Sequence, residues 1–186
     1  MQVGALERGW NTADEYDGPD IRPETVRTLD SQDHLRALVA DTNVNNDTFL
    51  ATDYLNHFNE IVMLLEMVPD MPDILEEAKE WQPKSYPQHF LDSGLSDSEI
   101  TVEAYENAPS EFREPFDETI TRMNAVVIKG IENIEAALDS PRPEELAAAA
   151  ATACRLLQRL VDVASAIIHG STPKLEQDEI DELLNH

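Results

Sequence analysis

The stretch that decides the fold is IENIEAALDSPRPEELAAAAATACRLLQRLVDVASAIIHG, residues 131–170. In its second half, Leu146, Ala150, Ala153, Leu157, Leu160, Ala164 and Ile167 recur at steps of three and four. That is the spacing of one face of an α-helix. Pro143 suits the first helical turn, and Glu144 and Glu145 favour its positive end. His169-Gly170 supplies the stop. The predicted helix spans about 143–169. Its small alanines let a neighbouring helix approach closely.

Upstream, Pro109-Ser110 opens a second long helix to about 139, with Phe116, Ile120, Met123, Val127, Ile134 and Leu138 in a near-heptad stripe. The breaker Ser140-Pro141-Arg142-Pro143 joins the two tightly, which argues for antiparallel neighbours. A third long helix is expected over about 48–68, from Leu55, Phe58, Val62 and Leu65, with Tyr54, Ile61 and Val68 widening the stripe. Pro69 and Pro72 end it. Short helices follow near 73–81 and 97–106, the latter opened by a Ser96/Glu99 capping box. Between them, residues 82–94 read as a connector with one turn of helix. No segment shows strand alternation. The fold class is all-α: an antiparallel bundle of three long helices plus short ones, with flexible acidic termini. The expected organisation is an arm over 1–47 holding a short amphipathic helix near 30–40, a bundle over 48–170, and a terminal peptide over 171–186.

The 186 residues include 38 acidic and 13 basic side chains, a net charge of −25. Such a surface repels nucleic acid and anionic lipid and favours basic partners. There is no basic segment followed by an apolar run of the secretory kind, and the longest apolar stretch, 146–154, is too short to span a bilayer. One cysteine, Cys154, excludes an internal disulfide framework and fits a reducing compartment. The expected location is the cytoplasm.

Chemistry is thinly marked. Asp53, His57 and Glu60 fall at i, i+4 and i+7 and could share a metal-binding helix face, as could Asp162 and His169. The bland alternative is a polar helix edge, and no cofactor is expected. Cys154 lies on an alanine-rich face and reads as a small apolar residue. The six glycines are scattered and build no phosphate loop. The densest aromatic patch is 81–90, WQPKSYPQHF, either a partner surface or a plug for the open end of the bundle.

After Gly170 and a short STPK spacer comes LEQDEIDELL, residues 175–184. Ile180, Leu183 and Leu184 make a narrow apolar face ringed by Asp178, Glu179, Asp181 and Glu182. With Glu176 at the N-cap, Leu175 and Ile180 form a hydrophobic staple. A peptide this short gains helix in a partner's groove. DSQDHLRALV, residues 30–39, repeats the arrangement: Gln32-Asp33 corresponds to Gln177-Asp178, Leu35 to Ile180, and Leu38-Val39 to Leu183-Leu184, with Ser31 at the cap.

The C-terminal segment resembles the L-S-Q-x-E-I-D-x-L-L segment of the flagellar switch protein FliM. It is also similar, more loosely, to the tail of the chemotaxis phosphatase CheZ. Leu175, Gln177, Asp178, Glu179, Ile180, Asp181, Leu183 and Leu184 match, and Glu176 replaces the serine. In the N-terminal copy Ser31, Gln32, Asp33, Ala37 and Leu38 match, while Asp30 and Arg36 depart. The resemblance implies binding to a CheY-like receiver domain by a non-enzymatic signalling accessory. The CheZ comparison also implies a phosphatase alternative. Its Asp-x-x-x-Gln pattern is absent, and Asp53-x-x-Asn56 is the nearest acid–amide pair on a long helix. A metal-binding bundle is a further alternative. The three broad apolar faces are also compatible with a homodimer.

Overall fold

The computed structural model describes residues 32–171. The terminal peptide at 175–184, and Ser31 of the N-terminal copy, lie outside the described residues. Helix α1 covers 32–39. A loop and the 3-10 turn Thr52–Leu55 lead into α2 (Asn56–Met67). Then come α3 (Ile74–Lys79), α4 (Tyr86–Ser93), α5 (Ser98–Glu106), α6 (Ser110–Leu138) and α7 (Pro143–Ile168). The fold is all-α: no strand occurs among the described residues, only an isolated antiparallel bridge between Val44 and Ala51. None of their helices is long and apolar enough to cross a membrane.

The largest interface joins α6 and α7, and α2 lies along a second flank of α7. Every seam residue expected on α7 is buried, from Leu146 to Ile167. On α6, Phe116, Ile120, Met123, Val127 and Ile134 are buried, but Leu138 is 38% exposed: the stripe outruns the surface it packs on. At Gly130 of α6 a Cβ would stand 2.8 Å from the Ala153 Cβ of α7, so the helices touch almost backbone to backbone. Pro115 sits inside α6 near its start, where Thr119 Oγ1 donates to the Pro115 carbonyl at 2.7 Å.

Helix α7 starts with Pro143 in its first turn. It ends in a Schellman turn: Ser171 N–H donates to the Ala166 carbonyl (2.8 Å), Gly170 N–H donates to the Ile167 carbonyl (2.9 Å), and Gly170 has φ 85°. The next carbonyl, Ile168 O, accepts from the buried Thr48 hydroxyl at 2.8 Å.

Three boundaries differ from expectation. The helix expected from 48 begins only at the turn Thr52–Leu55. Residues 45–51 are folded otherwise, because Asn45 Oδ1 accepts from the backbone of Asp47 and Thr48 (2.9 and 3.1 Å) and Phe49, fully buried, takes φ 58°. The connector at 82–94 contains two turns of helix, α4, capped by Ser85 Oγ, which accepts from Gln88 N–H, and closed by Gly94 at φ 67°. The capping box expected from Ser96 and Glu99 does not form; α5 starts at Ser98, after an Asp97 that makes no side-chain cap bond. The expected arm also reached too far, since Leu35, Val39 and Val44 belong to the same hydrophobic cluster as α2, α6 and α7.

Gly130→Ala gains about 1 kcal/mol of helix propensity but forces two methyl carbons into overlap. We expect a net loss of about 1–3 kcal/mol in chemical denaturation, partly recovered by adding Ala153→Gly. A neutral or stabilised Gly130→Ala would show that the helices part at little cost.

Candidate functional site

The sequence candidates converge on α2. Its start is covered by a strap, residues 81–93, fastened to residues 51–57 by side chain to backbone hydrogen bonds. Trp81 Nε1 donates to the His57 carbonyl at 3.2 Å, and His57 Nε2 lies 3.0 Å from the Gln82 carbonyl. The Tyr54 hydroxyl donates to the Lys84 carbonyl at 2.6 Å. The Tyr86 hydroxyl accepts from Ala51 N–H at 2.8 Å. The rings pack together: His57 stacks on Trp81 (4.7 Å, 20°) and Tyr86 on Tyr105 (4.4 Å, 14°), and Tyr54 touches Phe58, Tyr86, His89 and Phe116. The aromatic patch noted in the sequence therefore closes the core, as the plug alternative expects.

This packing sets the electrostatics. Burial pushes the Tyr54 and Tyr86 phenols well above the ordinary tyrosine value. Burial also raises Tyr105, to about 12, helped by its hydrogen bond to Asp117 Oδ1 at 2.8 Å. Burial lowers His57 and His89, whose ring centroids are 6.1 Å apart, and Lys84 lowers both further. Asp92 is held below the usual carboxylate range by Lys84, 3.1 Å away, and by Gln88.

The proposed metal face does not assemble. Asp53 stands in the 3-10 turn rather than on α2, so its seven-residue spacing from Glu60 is not continuous α-helix. His57 is 8% exposed and engaged with Gln82 and Trp81, while Glu60 is exposed. His169 Nδ1 lies 2.7 Å from the Ser165 carbonyl at the end of α7, and Asp162 is exposed. Among the described residues no group of three or more His, Cys, Asp or Glu is gathered to hold a metal ion. Burial lifts the Cys154 thiol to about 11, leaving it protonated at neutral pH, and Sγ faces the Val62 carbonyl at 3.8 Å.

The acid–amide pair fares differently. Asp53 and Asn56 line an open cleft of ≈ 270 Å³ at the α2/α7 seam, with Thr52, Asn59, Asp162 and Ser165. The sequence reading placed Asp53 and Asn56 together but missed Asn59 and Ser165, because only the packing of α7 brings that wall across. The N-terminal docking copy is divided. Leu35 is 4% exposed and packed in the core, Leu38 is 37% exposed, and Asp33 Oδ1 is ion-paired to Arg36 at 3.0 Å. With Leu35 turned inward, this copy cannot offer the full apolar stripe expected of it.

Comparison with known protein families, with curated proteins and with solved structures finds no match to this chain.

Both histidines have folded-state pKa values below the unfolded value of about 6.5, so the unfolded chain binds protons more readily. The stability they permit is present above about pH 6.5 and is lost as pH falls from there through the lowered folded values. In a Trp10→Phe background, acid titration of Trp81 fluorescence should report loosening of the strap in that window, and His57→Phe should flatten the response. An unchanged profile would mean that His57 already titrates freely in the fold.

Proposed function

We propose that this chain is a non-enzymatic helical signalling accessory. It presents the acidic amphipathic segment 175–184 to a CheY-like receiver domain, with Ile180, Leu183 and Leu184 as the apolar contacts. In this reading the body is an antiparallel bundle of α2, α6 and α7. The pairing of Thr48 with Ile168, and of Val62 with Cys154, supports opposed directions for α2 and α7.

The observation that carries the proposal is the Schellman turn at Gly170. It satisfies the last carbonyls of α7 and stops the helix, and Pro173 lacks the N–H that helical continuation would use. In this reading the stripe of 180, 183 and 184 belongs to a unit separate from the α7 seam. Aligned with the receiver-binding pattern, that unit keeps each apolar position and its acidic flanks. The acidic residues favour a groove rimmed by lysine or arginine.

The test is titration calorimetry with a purified CheY receiver domain. Ile180→Ala with Leu183→Ala should abolish binding while far-UV circular dichroism stays unchanged. Equal affinity for parent and variant would overturn the reading.

A second reading rests on the Asp53/Asn56 cleft, now joined by Asn59 and Asp162. An amide beside a carboxylate can position water toward an aspartyl phosphate, which makes a receiver phosphatase the enzymatic alternative. It predicts that the chain speeds loss of label from a phosphorylated receiver, and that Asn56→Ala removes the acceleration. No acceleration by the parent chain would exclude it.

A further inference from the structure

The α2/α7 seam has a second opening toward the start of α7. This groove of ≈ 310 Å³ is lined by Ala147, Ala150, Ala151 and Cys154, with Arg155, Glu66, Pro69 and Gln158 along its rim. Ala147, Ala151 and Arg155 are exposed. Arg155 makes no ion pair among the described residues, whereas Glu66 accepts from Gln158 Nε2 at 3.0 Å. In a chain of net charge −25, α7 carries two cations, and one of them, Arg155, lies beside an alanine-walled groove, with Arg159 one turn further along the helix.

We propose that this groove is a self-docking site for the chain's own segment 175–184, which the body thereby withholds from a receiver. The inference rests on the docking role assigned to that segment and adds its regulation.

Two arguments select this occupant. The first is reach. Arg155 stands sixteen residues before Ser171, about 24 Å back along α7 at 1.5 Å per residue. With 171–176 extended at about 3.4 Å per residue and 176–180 helical, Ile180 returns about 23 Å along the same line. The second is charge order. Beyond Ser171 the chain offers Lys174, then Glu176, Asp178 and Glu179. Running back from the end of α7 the body offers Asp162, then Arg159 and Arg155. Folded back, Lys174 comes to the level of Asp162, and the acidic residues to the level of the arginines. Ile180, Leu183 and Leu184 then meet the alanine wall, whose small side chains allow a helix to come close. Glu66 is the one opposing charge on the rim, and Gln158 engages it.

The test uses the full-length chain, 15N-labelled. Compared with the parent, the variant Ile180→Asp, Leu183→Asp, Leu184→Asp should shift the amides of Ala147, Ala151 and Cys154 and leave α6 amides in place. Arg155→Glu, an exposed change, should shift the same α7 amides. It should also tighten receiver binding several-fold by releasing the segment. Amides of 147–154 unmoved by the triple variant would overturn the proposal. So would shifts that depend on protein concentration, since they would put the segment on a second copy. If the receiver does not bind but the α7 amides move, the docking role fails and self-docking stands. If the receiver binds and neither variant moves those amides, self-docking fails alone.

Discussion

The structure depends on one close approach, the crossing of α6 and α7 at Gly130 and Ala153. A four-residue connection joins the two longest helices, and the lack of a side chain at Gly130 lets them meet almost directly. With that distance fixed, the seam from Leu146 to Ile167 is excluded from water along its length. Burying each larger aliphatic side chain contributes about 1.5–3 kcal/mol, so the seam outweighs any single polar contact in the molecule. Helix α2 uses the flank of α7 that α6 leaves uncovered, and both openings on the α2/α7 seam follow from that arrangement.

Polar groups then decide how the irregular segments lie. Thr48 takes an α7 carbonyl that the helix cannot satisfy internally, which pins the loop before α2 to the end of α7. The strap at 81–93 does the same over the start of α2, through Trp81, His57, Tyr54 and Tyr86. Each such bond adds about 0.5–1.5 kcal/mol net, but leaving its buried partner unmet would cost more. These bonds give specificity of placement rather than bulk stability. Because one of the fastening groups, His57, is an imidazole, that placement is expected to respond to pH.

Charge acts on another scale. Most of the ion pairs among the described residues link positions three or four apart on one helix and are partly exposed, so each contributes little. Lys79–Glu135, at 2.5 Å, instead ties α3 to α6. The large negative excess is a long-range property of the chain. Against that background Arg155, beside the alanine-walled groove, stands out as a basic group at an opening on the α2/α7 seam.

The sequence by itself determined the helical class, the α6 and α7 spans to within a residue or two, and the stop at Gly170. These follow from local periodicity and from proline and glycine stereochemistry, which do not depend on distant residues. Only the tertiary structure decided that residues 48–51 leave the helix to cap α7, and that Leu35 faces inward. The same holds for His57, which stacks on Trp81 instead of standing beside Asp53 and Glu60 as a ligand. Helical periodicity marks a residue as apolar-facing or polar-edged. Which backbone carbonyl, ring or groove it then meets depends on contacts between residues that are remote in sequence, and no local pattern encodes those.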